Sequence, residues 1–423
     1  MKALQDKQSR LAVAADGPSP ASLSSVRGSA RLLAGLAVTL VGFGVVMVYS
    51  ASAVWAHQRF GNGQYFLVRQ ASYAVLGLLL MAFVSRLPLT RLRQLTYPAL
   101  VAALLALVAV ALGLGHHAGG ATRWLTLGPV HVQPAELAKL ALVLWLCDSL
   151  SRKRARIRSF SIGFLPHVLL AGVLMLLCLK QPDFGSAVML GVLTCLLLFV
   201  AGAKLGYLLA SLLLALPVAW MLVASSPYRL RRIRSFLAPF EHRYGDGYQV
   251  AESLISFGSG GMTGVGLGDS RQKLFFLPEA HTDFISAIVG EELGFVGVAA
   301  VVLAFVVLAG CGLRIALAAK DAFAALLALG LTLFLSLQAL TNLAVAVALL
   351  PTKGLVLPFI SYGGSALIVN CVAVGLLLSV AASITSPAGA RAPARWPRPR
   401  RPRAAVARLS AGTAGHLPEG VLR

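Results

Sequence analysis

The chain has 423 residues, of which 58% are hydrophobic and only 12% charged, against about 25% charged in ordinary soluble domains. With a mean hydropathy of +0.80, this composition excludes a soluble multidomain body, a disordered body and a compact nucleic-acid-binding domain. The net charge of +22, from 37 Lys and Arg against 15 Asp and Glu, then reads as basic loops beside a membrane rather than a polyanion-binding surface.

In chain order, residues 1–30 are expected to be an unstructured cytoplasmic N-terminus. Ten apolar runs follow, at 31–54, 66–84, 95–115, 134–150, 162–180, 186–203, 205–224, 284–313, 322–350 and 357–385. A helix of about 20 apolar residues crosses a bilayer core. The expectation is therefore an all-α polytopic membrane protein, with a ten-helix domain over 31–385. The first run starts too late and is too long for a cleavable signal peptide. Residues 386–423, rich in Pro, Ala and Arg, are expected to be a disordered cytoplasmic tail. Cys147, Cys178, Cys195, Cys311 and Cys371 all fall inside apolar runs, with neither a disulfide framework nor a C-x-x-C metal spacing.

Placing the N-terminus inside puts 24 of the 37 basic residues on the cytoplasmic side, including Arg152–Arg158 and the tail arginines, as the positive-inside rule asks. Both termini are then cytoplasmic. The 59-residue segment 225–283, between the seventh and eighth runs, is a large extracytoplasmic loop.

That loop opens with Arg229, Arg231, Arg232 and Arg234. Two readings stand: long loops escape the orientation rule, or the arginines grip a phosphate-bearing lipid through their guanidinium forks. Eight of the fifteen acids lie between Glu241 and Glu292. Asp283 sits where the loop meets the eighth run, suited to chemistry or to capping a helix. Glu291 and Glu292 need a cavity or a partner charge if that helix continues. FGSGGMTGVGLGDS (257–270) lacks the GK[ST] of a phosphate loop, and its glycines suit close backbone approach. Arg123 and Trp124 precede the fourth run, in which Glu136 and Lys139 share a helix face as ion pair or as site. Asp183 follows the fifth run, and 349–365 combines Pro351, Lys353, Pro358 and Gly363–Gly364. The histidines are scattered without zinc-ligand spacing.

The stretches GATRWLTLGPVHVQPAELAK, KQPDFGSA, YRLRRIRSF, GSGGMTGVGLGDSRQKLFFLPEAHTDFISAIVGEELG and LPTKGLVLPFISYGGS, in this order, resemble the SEDS (shape, elongation, division, sporulation) family over nearly the whole chain. MVYSAS and PTKG favour its division branch over the rod-elongation branch. The resemblance implies ten helices and a peptidoglycan glycosyltransferase acting on lipid II at the septum of a bacterial plasma membrane. Its implied partners are a class B penicillin-binding protein and other divisome membrane proteins. It maps the catalytic acid onto Asp283, an outer tryptophan onto Trp124 and a Glu/Lys pair onto Glu136 and Lys139. Around these we expect substrate contacts from Arg123, Trp124, Arg229, Arg231, Lys273, His281, Lys353 and Tyr362, with support from Asp183 and Glu279. No cofactor is demanded, although a divalent cation (Mg or Mn) on Asp283 would suit a pyrophosphate leaving group. A lipid II flippase and a scaffold for a partner synthase are the alternatives. Polar residues gathered at one side favour the enzyme.

Overall fold

The computed structural model describes residues 20–386 apart from 119, 120, 129, 226, 246 and 353. Residues 1–19, the Pro/Arg-rich tail from 387 onward and Lys353 lie outside the described residues. The elements in chain order are α1 (Pro20–Phe60), α2 (Tyr65–Val84), α3 (Leu89–Ala111), β1 (His116–Ala118), β2 (Ala121–Leu127), β3 (Val130–Val132), α4 (Pro134–Arg152), α5 (Leu165–Lys180), α6 (Phe184–Ala201), α7 (Leu205–Ala224), α8 (Pro227–Leu237), α9 (Tyr248–Gly260), α10 (Ile285–Ala318), α11 (Ala322–Ala346) and α12 (Gly364–Thr385).

The ten apolar runs correspond to α1–α7 and α10–α12. Among the described residues, seven helices are long and apolar enough to cross a membrane, and Phe184–Val200 and Leu205–Met221 are shorter apolar helices. The tenth, α4, is interrupted by Glu136, Lys139, Asp148 and Arg152. The chain is an all-α polytopic membrane protein carrying one small antiparallel sheet, in the order β1-β2-β3. That sheet was not expected from the sequence, where the strands are too short to show a clear period of two.

Of the boundaries that differ from expectation, two are informative. Residues 20–30, assigned to an unstructured segment, belong to α1. Val26, Ser29, Leu33 and Ala37 continue its buried stripe, and Arg27 Nη2 donates to Thr385 O at the end of α12 (3.4 Å). In turn α12 starts only at Gly364, because Pro358 and the positive φ of Phe359 (68°) keep the preceding residues out of helix.

Nearly every residue of α4 from Pro134 to Leu150 is buried, packed against α3, α6, α11 and α12. Small residues bring the other helices close. Gly77 on α2 faces Cys371 on α12, and a Cβ on Gly312 of α10 would collide with Thr332 of α11. By contrast α7 stands off the bundle, with Leu212, Leu213, Leu214, Leu216, Trp220 and Met221 all exposed.

The feature that shapes the long segment is a break in α10 at Gly294, whose φ of 66° and ψ of −164° lie outside the helical region. A break there removes the helical bonds that would join Glu291 O to Phe295 N and Glu292 O to Val296 N. Residues 261–266 insert and satisfy all four groups. Val265 N donates to Glu291 O (3.0 Å), Gly266 N to Glu292 O (3.1 Å), Phe295 N to Gly261 O (2.9 Å) and Val296 N to Met262 O (3.1 Å). Irregular backbone within a bundle persists only when its polar groups are met in this way. The glycines are required by space: a Cβ on Gly260 would strike Gly290 O, and one on Gly264 would strike Glu292 O.

Gly264 also has a φ of 83°, a conformation that L side chains rarely adopt. Gly264→Ala should therefore lower stability by about 2 kcal/mol or more, read as a reduced melting temperature in detergent. Gly258→Ala, with nothing within 4 Å of the added carbon, should melt at or above the wild-type temperature.

Candidate active site

At one end of the bundle, five segments converge on Asp283: the β2 strand, the α5–α6 junction, the 279–284 turn, the 351–355 link and α8. The turn forms because Glu279 takes a positive φ of 57°, which lets its carbonyl accept from Thr282 N (3.1 Å) and Phe284 N (3.3 Å). Thr282 Oγ1 ties the Glu279 carboxylate as well (2.8 Å). The N-cap of α10 is Phe284, which has no side-chain cap. Asp283 therefore does not serve as the helix cap.

The Asp283 side chain is half-buried. Burial pushes its carboxyl up to about 7, and the nearby Glu279 carboxylate adds to the rise. The Arg123 and Arg232 guanidiniums pull the other way, and Asp183 acts with Glu279. A carboxyl poised near neutrality is suited to taking a proton from a hydroxyl group.

Backbone carbonyls hold the Arg123 fork: its Nε donates to Gln181 O (3.3 Å) and its Nη2 to Pro182 O. Gly354 lies between the two charges. A Cβ built there would sit 3.3 Å from Asp283 Oδ2 and 3.9 Å from Arg123 Nη1. Arg232, on α8, donates to Thr352 O of the same link (3.3 Å).

Three of the expected supporting residues also have fixed protein partners. Asp183 caps α6, accepting from Ser186 N (3.0 Å), and accepts from Gln133 Nε2 (3.4 Å). Glu136 and Lys139 form a buried ion pair (2.7 Å) to which Gln338 of α11 also donates (3.4 Å).

Four other expected substrate contacts have protein surroundings of their own. Lys273 bonds Glu292 (3.1 Å), Ser50 Oγ (3.4 Å) and the Gly268 carbonyl, because a carboxylate as buried as Glu292 requires a counter-charge. His281 packs among Trp55, Phe66 and Tyr362, with centroids 5.8, 4.7 and 5.7 Å away. Burial holds its imidazole below the usual range, opposed by Glu279. Its carbonyl accepts from Tyr362 N (2.9 Å), so His281 and Tyr362 form an aromatic wall behind the turn. Trp124 follows Arg123 on β2 and so faces the opposite side of the strand, the side of its partner His116.

Of the arginine cluster, the structure brings Arg232 to the site, while the Arg231 side chain is exposed. Arg229 falls within α8, its side chain outside the described residues. Arg232 and Gly354 were missing from the expected site. Their signal was slight: one arginine among four, and the glycine of PTKG. Among the described residues, no three His, Cys, Asp or Glu side chains group as a metal site would need.

A family model for cell cycle proteins of the FtsW/RodA/SpoVE type matches residues 30–386. A Geobacter metallireducens protein named "Probable peptidoglycan glycosyltransferase FtsW" is 47% identical over 346 residues, covering 82% of this chain and 92% of that protein. A Coxiella burnetii protein of the same name is 43% identical, covering 81% of this chain and 94% of its own length. A solved chain from work on polymerization and crosslinking by a peptidoglycan synthase complex superimposes with a TM-score of 0.68 at 31% identity, covering 83% of this chain and 97% of that one. The Thermus thermophilus rod shape determining protein RodA does so with a TM-score of 0.62 at 30% identity, covering 84% and 97%.

The Lys273–Glu292 pair gives a direct test of the reassignment of Lys273. Removing one partner of a buried pair costs about 3–5 kcal/mol, so Lys273→Met should sharply lower the melting temperature in detergent. Lys273→Met with Glu292→Gln should recover much of it. A Lys273→Met variant of unchanged stability would return the lysine to the list of substrate contacts.

Proposed function

Because the chain belongs to the FtsW/RodA/SpoVE family of cell cycle proteins, we propose that it is a peptidoglycan glycosyltransferase that polymerises lipid II into β-1,4-linked glycan, with Asp283 as its base. The observation that carries this reading is the half-buried Asp283 carboxyl facing Arg123 across Gly354 with Arg232 held on the same link; burial raises that carboxyl against the pull of both guanidiniums. The relatives named for this activity support it.

The chemistry is a single displacement. Asp283 takes the proton of the acceptor sugar hydroxyl. The hydroxyl oxygen forms a bond to the anomeric carbon of the donor strand, and the bond from that carbon to the lipid pyrophosphate breaks. The pyrophosphate leaves with the electron pair, and the proton passes from Asp283 to water. One base acting by direct displacement inverts the α-linked donor to a β-linked product. Arg123 and Arg232 flank the site where charge grows on the leaving group, the place where fixed cations lower a barrier most. A hard divalent cation, Mg or Mn, would have Asp283 as its protein ligand and would take its other oxygens from the substrate, since no cluster of three ligating side chains is present among the described residues. The separation of α7 from the bundle gives the prenyl chain of the substrate a lateral way in from lipid.

The basic asymmetry of the sequence places this end of the bundle outside, with both termini cytoplasmic. The MVYSAS and PTKG segments and the FtsW relatives support the division branch, and with it work at the septum. The likeness to a chain of a peptidoglycan synthase complex supports a class B penicillin-binding protein as the working partner. The alternative of a flippase calls for charged groups along a path through the bundle. The buried charges of Glu136 and Lys139 instead form a closed pair, which favours transfer at one surface.

Purified protein with its partner and lipid II provides the test. Asp283→Asn should reduce polymerisation by at least about 10²-fold, the range for loss of a general base, with partner binding retained. Arg232→Gln should lower kcat/KM by about 10- to 150-fold, the equivalent of one charge-assisted contact. Wild-type polymerisation by Asp283→Asn would overturn the assignment.

A further inference from the structure

Asn342 is a buried amide in the apolar helix α11, 1% exposed. Its Nδ2 donates to two backbone carbonyls, those of Asp283 (2.8 Å) and Leu355 (2.7 Å). Its Oδ1 accepts from Ser286 Oγ, in the first turn of α10 (3.3 Å). A side-chain amide has two N–H donors, and both are engaged here. With the Ser286 contact, they tie α11 to the 283–286 stretch, where the long segment meets α10, and to the 351–355 link.

Those carbonyls belong to the residues that define the site. Asp283 carries the carboxyl group. Leu355 follows Gly354, the position between that carboxyl and the Arg123 guanidinium. We infer that Asn342 is a positioning residue: by tying the Asp283 and Leu355 carbonyls to one amide, it fixes where the Asp283 carboxylate stands relative to Gly354 and Arg123. Neither carbonyl belongs to regular secondary structure, so no helical or sheet ladder holds this spacing in its place. The inference rests on the reading of Asp283 as the base and adds a residue that touches neither substrate nor reacting atoms.

The test uses the full-length chain with its partner, lipid II as substrate, and turnover expressed per folded enzyme. Asn342→Asp keeps the size of the side chain but turns an oxygen toward both carbonyls. Ser286→Ala removes only the hydroxyl that orients the amide, and carries the test if Asn342→Asp does not fold. We expect kcat to fall about tenfold or more in Asn342→Asp and about two- to threefold in Ser286→Ala, the range for buried hydrogen bonds lost. KM for lipid II should stay within about twofold of the wild-type value, because the substrate contacts are intact. Combined with Asp283→Asn, either change should remove no further activity, as expected for residues acting through one group. Unchanged kcat with only a lower melting temperature would show a purely structural amide and overturn the inference. A further loss in the Asp283→Asn background would overturn it too, by showing that Asn342 acts elsewhere. If Asp283→Asn alone polymerises normally, the functional reading fails first, and the inference with it.

Discussion

Everything at the functional end of this bundle depends on keeping one carboxyl group partly out of water. Asp283 has no regular element of its own. It lies in a turn set by the positive φ of Glu279, and its surroundings come from five separate segments. The carboxyl is raised because burial and the Glu279 and Asp183 carboxylates outweigh the Arg123 and Arg232 guanidiniums. If the 351–355 link or the hairpin strand moved away, water would return and the carboxyl would fall back to the ordinary range near 4.

The rest of the structure can be seen as the means of holding those segments still. The hairpin arginine is fixed by the carbonyls of residues 181 and 182, and the link by Asn342 and Arg232. The long segment is fastened by two glutamates. Glu291 accepts from Ser256, Ser270 and the backbone of Arg271, while Glu292 pairs with Lys273 and Ser50. Both sit just before the break at Gly294, where residues 261–266 complete the interrupted hydrogen bonding. These acids near membrane depth are structural anchors for the segment that leads to Asp283, each matched by donors as buried charges must be.

The membrane architecture was legible from the sequence because a bilayer demands long apolar runs, and each of the ten became a helix. The close-approach glycines of 257–270 and the junction position of Asp283 were legible too, since both follow from local residue type. What the sequence hid was pairing. Lys273 and His281 are polar and lie near Asp283 along the chain, while Tyr362 stands in the PFISYGGS stretch far from it in sequence. Which neighbour satisfies a charge or covers a ring is decided in three dimensions: Lys273 meets Glu292, 19 residues on, and Ser50, 223 residues back. Asn342 stayed hidden for a related reason: its partners Asp283 and Leu355 come from separate loops. Residues 20–30 were misread for a different reason: their buried stripe is sparse among serines, so it resembled a polar tail.

Infrared difference spectroscopy across pH, comparing the purified protein with its Asp283→Asn variant, addresses the central claim most directly. The protonated-carboxyl C=O band missing from the variant reports Asp283 alone. This account predicts that the band disappears with a midpoint near 7. A midpoint near 4, in the ordinary carboxylate range, would mean that Asp283 is fully hydrated and would contradict the account.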